Sequence, residues 1–157
     1  MHFAAGNRPK IDAVFLDLGE VLIELGWRRP FDALGIVAAG PPEELWKSFV
    51  SSWDQYDRYE RGLLGTPEFF RQLAARISQI SGIAVNATQT QAAWNTLLIG
   101  PVLGVPQLVT ALASRVPVYS ITNTNPAHID YLPSIYPDLT PFRKFFTSYD
   151  LGFRKHE

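Results

Sequence analysis

Three polar groupings interrupt otherwise apolar stretches of this chain. Asp17 follows Ala13-Val14-Phe15-Leu16, where a carboxylate is costly unless it faces a solvated site or meets a cation. Two residues on, Gly19 permits a tight turn and lets backbone approach a ligand closely. Ser120-Ile121-Thr122-Asn123-Thr124-Asn125 gathers hydroxyl and amide groups behind a second apolar run. Backbone amides and a hydroxyl there suit the oxygens of a phosphate, helped by a helix that starts after Asn125. Lys155 closes Asp150-Leu151-Gly152-Phe153-Arg154-Lys155. Singly, each has an ordinary explanation: a turn-capping Asp, an N-cap turn, a solvated lysine.

Their expected positions in the fold gather them into a candidate site. Residues 13–16, 116–121 and 145–148 read as short buried strands of a parallel sheet, apolar and bounded by polar or turn residues. Between the first and second lies a long stretch of helical spacing. Pro42-Glu43-Glu44 opens a helix whose stripe runs Leu45, Trp46, Phe49, Val50, Trp53. Thr66-Pro67-Glu68 opens another through Phe69, Phe70, Leu73, Ala74 and Ile77, which Gly82 stops. A third is expected from Thr88 through Trp94, Leu97 and Leu98 to Gly100-Pro101. Helices at 106–115 and 127–132 flank the second strand. The order is strand, helical block, helix, strand, helix, strand: an α/β pattern. In such sheets the ligand sits beyond the carboxyl ends of the strands. All three polar groupings fall at such ends.

The composition is that of a globular protein: 46% hydrophobic and 18% charged over 157 residues. A net charge of −1 gives no electrostatic case for nucleic acid or an anionic membrane surface. With no cysteine, disulfides, thiolate catalysis and Cys-based metal sites are excluded, and His2, His128 and His156 are too scattered for a His cluster. The start, MHFAAGNRPK, lacks the apolar run of a secretory signal, and a cytoplasmic location is expected.

Together the groupings resemble the motifs of the haloacid dehalogenase (HAD) superfamily. Ala-Val-Phe-Leu-Asp17-Leu-Gly-Glu-Val-Leu resembles the first motif, Ile121-Thr122-Asn123 the second, and Asp150-Leu-Gly-Phe-Arg-Lys155 the third. Tyr59-Glu60-Arg61-Gly62 resembles the recurring Glu-x-Gly turn of the helical cap. Asp17-Leu-Gly, Asn123-Thr124-Asn125 and residues 151–155 most resemble the subgroup of bacterial sugar-phosphate phosphatases of the α-D-glucose-1-phosphate phosphatase type. The resemblance implies a Rossmann-like, HAD-like core at 11–26 and 101–157, with a cap at 27–100. It implies a hydrolase that cleaves a small phosphorylated metabolite through an aspartyl-phosphate. Asp17 would be the nucleophile, Thr122 and Asn123 would hold the phosphate, and Lys155 would stabilise the transferred group. Mg²⁺ would be held partly by Asp17 and the Gly19 carbonyl.

Two departures from the family pattern shape the remaining expectations. A second aspartate often stands two residues after the nucleophile as general acid and base; here that residue is Gly19, as in the resembling subgroup. Glu20, the nearest carboxylate, falls by alternation on the other side of the chain. The fourth motif, an acidic pair on a later strand, has no counterpart before Lys155-His156-Glu157, and the chain reads as C-terminally truncated. The first strand is therefore expected to form a bare sheet edge through which the chain self-associates. An inactive fragment or pseudoenzyme, and a dehalogenase, stand as alternatives to the phosphatase.

Overall fold

Apolar runs become the parallel strands of the computed structural model, which describes residues 10–37 and 40–155. His2, His156 and Glu157 lie outside the described residues. In chain order the elements are β1 (Val14–Leu16), β2 (Ile23–Leu25), α1 (Arg29–Ala33), α2 (Pro42–Trp46), a π-helical turn (Lys47–Ser51), α3 (Asp54–Glu60), α4 (Thr66–Ser81), α5 (Ala87–Asn95), β3 (Leu98–Pro101), α6 (Val105–Ala113), β4 (Val118–Thr122), α7 (Pro126–Tyr131), a 3₁₀ turn (Leu132–Ser134), β5 (Phe142–Thr147) and α8 (Ser148–Leu151).

The α/β class holds, with β1, β4 and β5 in one parallel sheet ordered β1-β4-β5. Val14 pairs with Val118 and Leu16 with Ser120, so the strands end side by side. In β4, Val118, Ser120 and Thr122 are buried while Tyr119 and Ile121 are not, the period-2 signature of a strand with one covered face. Val109 of α6, Leu132 and Tyr136 pack with Val118 and Phe142 on the covered side.

Burial of β1 on both faces does not hold: Phe15 is 54% exposed. It stacks on Tyr119 at 5.0 Å and leans on Phe146 at 6.1 Å, forming an aromatic row across the open face. Among the described residues β1 has one sheet neighbour, β4, and so lies at the sheet's edge.

A second difference concerns residues 88–101. The helix expected to reach Gly100-Pro101 stops at Asn95, and Leu98–Pro101 is a strand antiparallel to β2. Leu97 and Leu98 continue the apolar stripe of the helix, but both backbones are claimed elsewhere: Gly26 N–H donates to Leu97 O at 2.8 Å, and Leu98 is in register with Leu25. The helix expected through Trp53 is likewise interrupted, by the π-helical turn. Arg76 serves that turn's carbonyls, donating to Phe49 O at 2.8 Å and Ser48 O at 2.9 Å.

Two apolar clusters follow from this order. One gathers Phe31, Trp46, Phe49, Tyr59, Phe69, Phe70, Leu73 and Trp94 from residues between the two hairpin strands. The other gathers Leu18, Leu22, Ile23, Val109, Val118 and Leu132 beneath the parallel sheet. Leu25 packs against both, so the β2–β3 hairpin joins the helical block to the sheet.

Candidate active site

Asp17 leaves the carboxyl end of β1 and its Oδ1 accepts the Leu18 amide at 2.8 Å. The chain then turns back at once. Leu22 and Ile23 amides both donate to Leu18 O at 2.9 Å, and buried Leu18 and Leu22 anchor the turn. Glu20 sits within it at φ 61°, a left-handed conformation that a side chain resists. Its carboxylate accepts the Trp27 indole N–H at 3.1 Å, away from Asp17's bonded partners.

Thr122 ends the neighbouring strand β4 and is buried; its hydroxyl donates to Asn123 O at 3.4 Å. Asn123 Oδ1 accepts the Lys155 amide at 2.7 Å. The Lys155 ammonium in turn donates to Asp17 Oδ2. Asp17, Asn123 and Lys155, far apart in sequence, are thus tied directly together. The Asp17 and Lys155 side chains are 41% and 22% exposed, so the ion pair opens to solvent, where such pairs add little stability. A ligand can therefore compete for either partner at small cost.

The loop after β4 is held by side chains rather than by regular structure. Ser148 Oγ donates to Thr124 O and accepts the Thr124 amide, both at 3.0 Å. Asn125 caps α7 by accepting the His128 amide at 3.1 Å, as the sequence suggests. The rest of its web links distant segments. Asn125 Oδ1 also accepts the Trp94 indole N–H at 3.4 Å. His128 Nε2 lies 3.3 Å from Trp94 O, an acceptor, so the proton is on Nε2 and Nδ1 accepts from Asn125 Nδ2 at 3.2 Å. Burial disfavours imidazolium and lowers the His128 pKa to about 4, with the Trp94 carbonyl opposing.

Between the helical block and these strand ends lies a cavity of about 90 Å³. Gly19, Thr122 and Asn123 form its polar wall, Trp27, Trp46 and Tyr56 its aromatic wall, and Glu60 a buried carboxylate between them. A larger groove of about 430 Å³ between α1 and α5 has no titratable lining and offers no comparable chemistry.

Glu60 belongs to the Tyr59-Glu60-Arg61-Gly62 turn read from the sequence, but its partners were not legible there. It accepts the Tyr56 hydroxyl at 2.7 Å, and its Oε2 lies 3.1 Å from Arg154 Nε. Those two charges attract without the alignment of a hydrogen bond. Burial raises the Glu60 pKa, against the lowering effects of the Tyr56 bond and the Arg154 charge. The turn is seated on α8: Gly62 has φ 70°, and a Cβ there would lie 2.3 Å from Tyr149 O. Tyr59 Oη accepts the Ala127 amide at 3.2 Å beside it.

Among the described residues no three His, Asp or Glu side chains converge to form a metal cluster. Nor is any described helix long and apolar enough to cross a membrane.

No family model and no curated protein matches the sequence. Solved structures do match. A HAD family enzyme from Bacteroides thetaiotaomicron, in complex with magnesium and inorganic phosphate, is 26% identical with a TM-score of 0.73 over 94% of this chain and 74% of its own. A predicted HAD-like family hydrolase from Porphyromonas gingivalis is 22% identical, with a TM-score of 0.68 over 94% and 71%. L-2-haloacid dehalogenase from Xanthobacter autotrophicus is 18% identical, with a TM-score of 0.61 over 93% and 60%. All three show the HAD-like fold, and the first, at 26% identity, supports a HAD superfamily hydrolase.

Proposed function

We propose that this chain is a phosphatase of small phosphate esters such as sugar phosphates, working through Asp17. The observation that carries the reading is the bonded set Asp17–Lys155–Asn123 at adjacent strand ends, with Thr122 and Gly19 on the wall of the neighbouring cavity. An Asp17 oxygen forms a bond to phosphorus as the ester P–O bond breaks, leaving an aspartyl-phosphate that water cleaves back to Asp17 and inorganic phosphate. Lys155 stabilises the charge on the transferred group, and Thr122 and the Asn123 backbone orient its oxygens. The leaving group rests against Trp27, Trp46 and Tyr56.

The donor set suits Mg²⁺. This ion takes hard oxygen ligands and commonly binds through one or two carboxylates, several waters and substrate phosphate. Asp17 and the Gly19 carbonyl supply protein oxygens of that kind at one turn, and a homologous-fold enzyme binds magnesium with phosphate. When bound, Mg²⁺ neutralises phosphate charge. With Gly19 where a carboxylic acid often stands, no side chain on that residue protonates the leaving group. Esters of more acidic alcohols, whose leaving groups need no proton, should therefore react fastest.

The test is Mg²⁺-dependent release of phosphate from p-nitrophenyl phosphate and a panel of sugar phosphates by the wild type and Asp17→Asn. Turnover should vanish in the variant while the circular dichroism spectrum is unchanged. Equal turnover in both proteins rejects the covalent route. Chloride release from 2-chloropropionate without phosphate release points instead to a dehalogenase, and neither activity to an idle member of the fold.

A further inference from the structure

Lys155 is the least anchored member of the site by secondary structure. It follows α8, a four-residue helix, by way of Gly152 at φ 80°. Regular hydrogen bonding therefore does not fix its position. Two contacts on the sheet side hold it, to Asn123 and Asp17. A third comes from the helical block through the preceding residue, Arg154. Its guanidinium reaches the other way, with Nε 3.1 Å from Glu60 Oε2 and Nη1 3.6 Å from Asp57 Oδ1.

Glu60 is unusual among these groups. Its side chain is 4% exposed, whereas Asp57 and Arg154 are 39% and 36% exposed. A carboxylate that deep is costly unless a cation and hydrogen bonds compensate it. Here the Tyr56 hydroxyl and Arg154 do so, and Arg61 pairs with Asp57 at 2.7 Å beside them. The Glu60 turn is itself immobilised, since Gly62 lies against Tyr149 O too closely for any side chain. A rigid turn bearing a buried carboxylate thus grips the residue directly before Lys155.

We propose that the Glu60–Arg154 pair is a positioning contact that holds Lys155 against Asp17, so that the seating of the helical block on α8 and the placement of the lysine are one event. Glu60 does not touch the reacting atoms in this scheme. It acts through Arg154 on the backbone of Lys155. The kinetic arm of the test rests on the phosphatase reading; the structural arm does not.

The experiment compares wild type, Glu60→Gln, Arg154→Gln and the charge-conserving Arg154→Lys. Amide hydrogen exchange by NMR reads the Lys155 N–H, bonded to Asn123 Oδ1, against amides of α4 as an internal reference. In both Gln variants the Lys155 amide should exchange about 10-fold faster or more while α4 is unchanged, with Arg154→Lys restoring much of the protection. Hydrolysis of p-nitrophenyl phosphate with Mg²⁺ should lose about 10- to 100-fold in kcat, as expected for a misplaced catalytic group, with KM within about 3-fold. Should Glu60→Gln fail to fold, the more exposed Arg154→Gln gives the same readout. Unchanged Lys155 exchange, or faster exchange in α4 alone, overturns the proposal and makes Glu60 a support of the helical block. Faster Lys155 exchange with undiminished kcat overturns it too. A wild type without turnover sinks the phosphatase reading, and the exchange data still decide the contact.

Discussion

Gly62 and Gly82 form a matched pair on which the seating of the helical block can be measured. Both adopt left-handed backbone, at φ 70° and 74°. Around Gly82 a Cβ meets nothing within 4 Å, whereas at Gly62 it falls 2.3 Å from Tyr149 O and 3.2 Å from Tyr149 C. Alanine at either site incurs about 1–2 kcal/mol for the left-handed conformation. Reduced freedom in the unfolded chain returns about 0.4–1 kcal/mol of that. Gly82→Ala is therefore expected to cost about 1 kcal/mol. At Gly62 the backbone oxygen must also retreat by roughly 1 Å, an overpacking typically worth about 1–3 kcal/mol. The expected total there is about 2–4 kcal/mol. For a chain of this size each kcal/mol lowers Tm by about 2–4 °C. Urea and thermal denaturation of the two variants supply the comparison, and their difference isolates the contact with α8. Equal destabilisation would refute the idea that the turn is pressed against Tyr149.

Three further outcomes are expected. Glu20→Gly should leave stability within about 0.5 kcal/mol of wild type in urea denaturation, because a net relief of left-handed strain of about 1 kcal/mol is offset by loss of the exposed Glu20–Trp27 bond; a loss of about 2 kcal/mol or more would put that bond in charge of the turn. His128, with a folded pKa of about 4 against an ordinary value near 6.5, leaves the unfolded chain binding more protons between those limits. Stability should thus fall with decreasing pH across pH 6.5 to 4, by up to about 3 kcal/mol, and His128→Gln should flatten that slope; an unaltered slope refutes the assignment. Finally, we propose self-association through the β1 edge and the Phe15–Tyr119–Phe146 row. Phe15→Lys should shift any dimer towards monomer in size-exclusion chromatography with light scattering, and a wild type that is monomeric at every concentration argues against it.

Local signals carried the reading of the sequence where structure is local. Val14–Leu16 and Val118–Thr122 are strands because their apolar runs are short and closed by polar residues; α4 ends at Gly82 because the chain there turns left-handed. Asn125 was legible as an N-cap for the same reason. Nonlocal pairing was not legible. Ile23-Glu24-Leu25 is too short to declare itself a strand, and its partner lies more than seventy residues on, where Leu97 and Leu98 extend the apolar spacing of a helix. The candidate site divides along the same line. Asp17, Thr122 and Lys155 could be named because their order and spacing form a pattern. Arg154 and the Asn125–His128–Trp94 web could not be given partners, since a single Arg or His in sequence carries no sign of what it faces.

The aromatic cluster of the helical block has an optical consequence. The chain has four tryptophans, at 27, 46, 53 and 94. Trp46 and Trp94 are buried in that cluster, and Trp27 and Trp53 pack against it. None belongs to the apolar layer beneath the sheet. Intrinsic indole emission is therefore a built-in reporter of the helical block, silent to events confined to the strands. The Trp94 ring also stacks on His128 at 5.3 Å, next to the loop that follows Thr122. Trp27 and Trp46 line the cavity together with His128, so ligand titrations can be followed without a label.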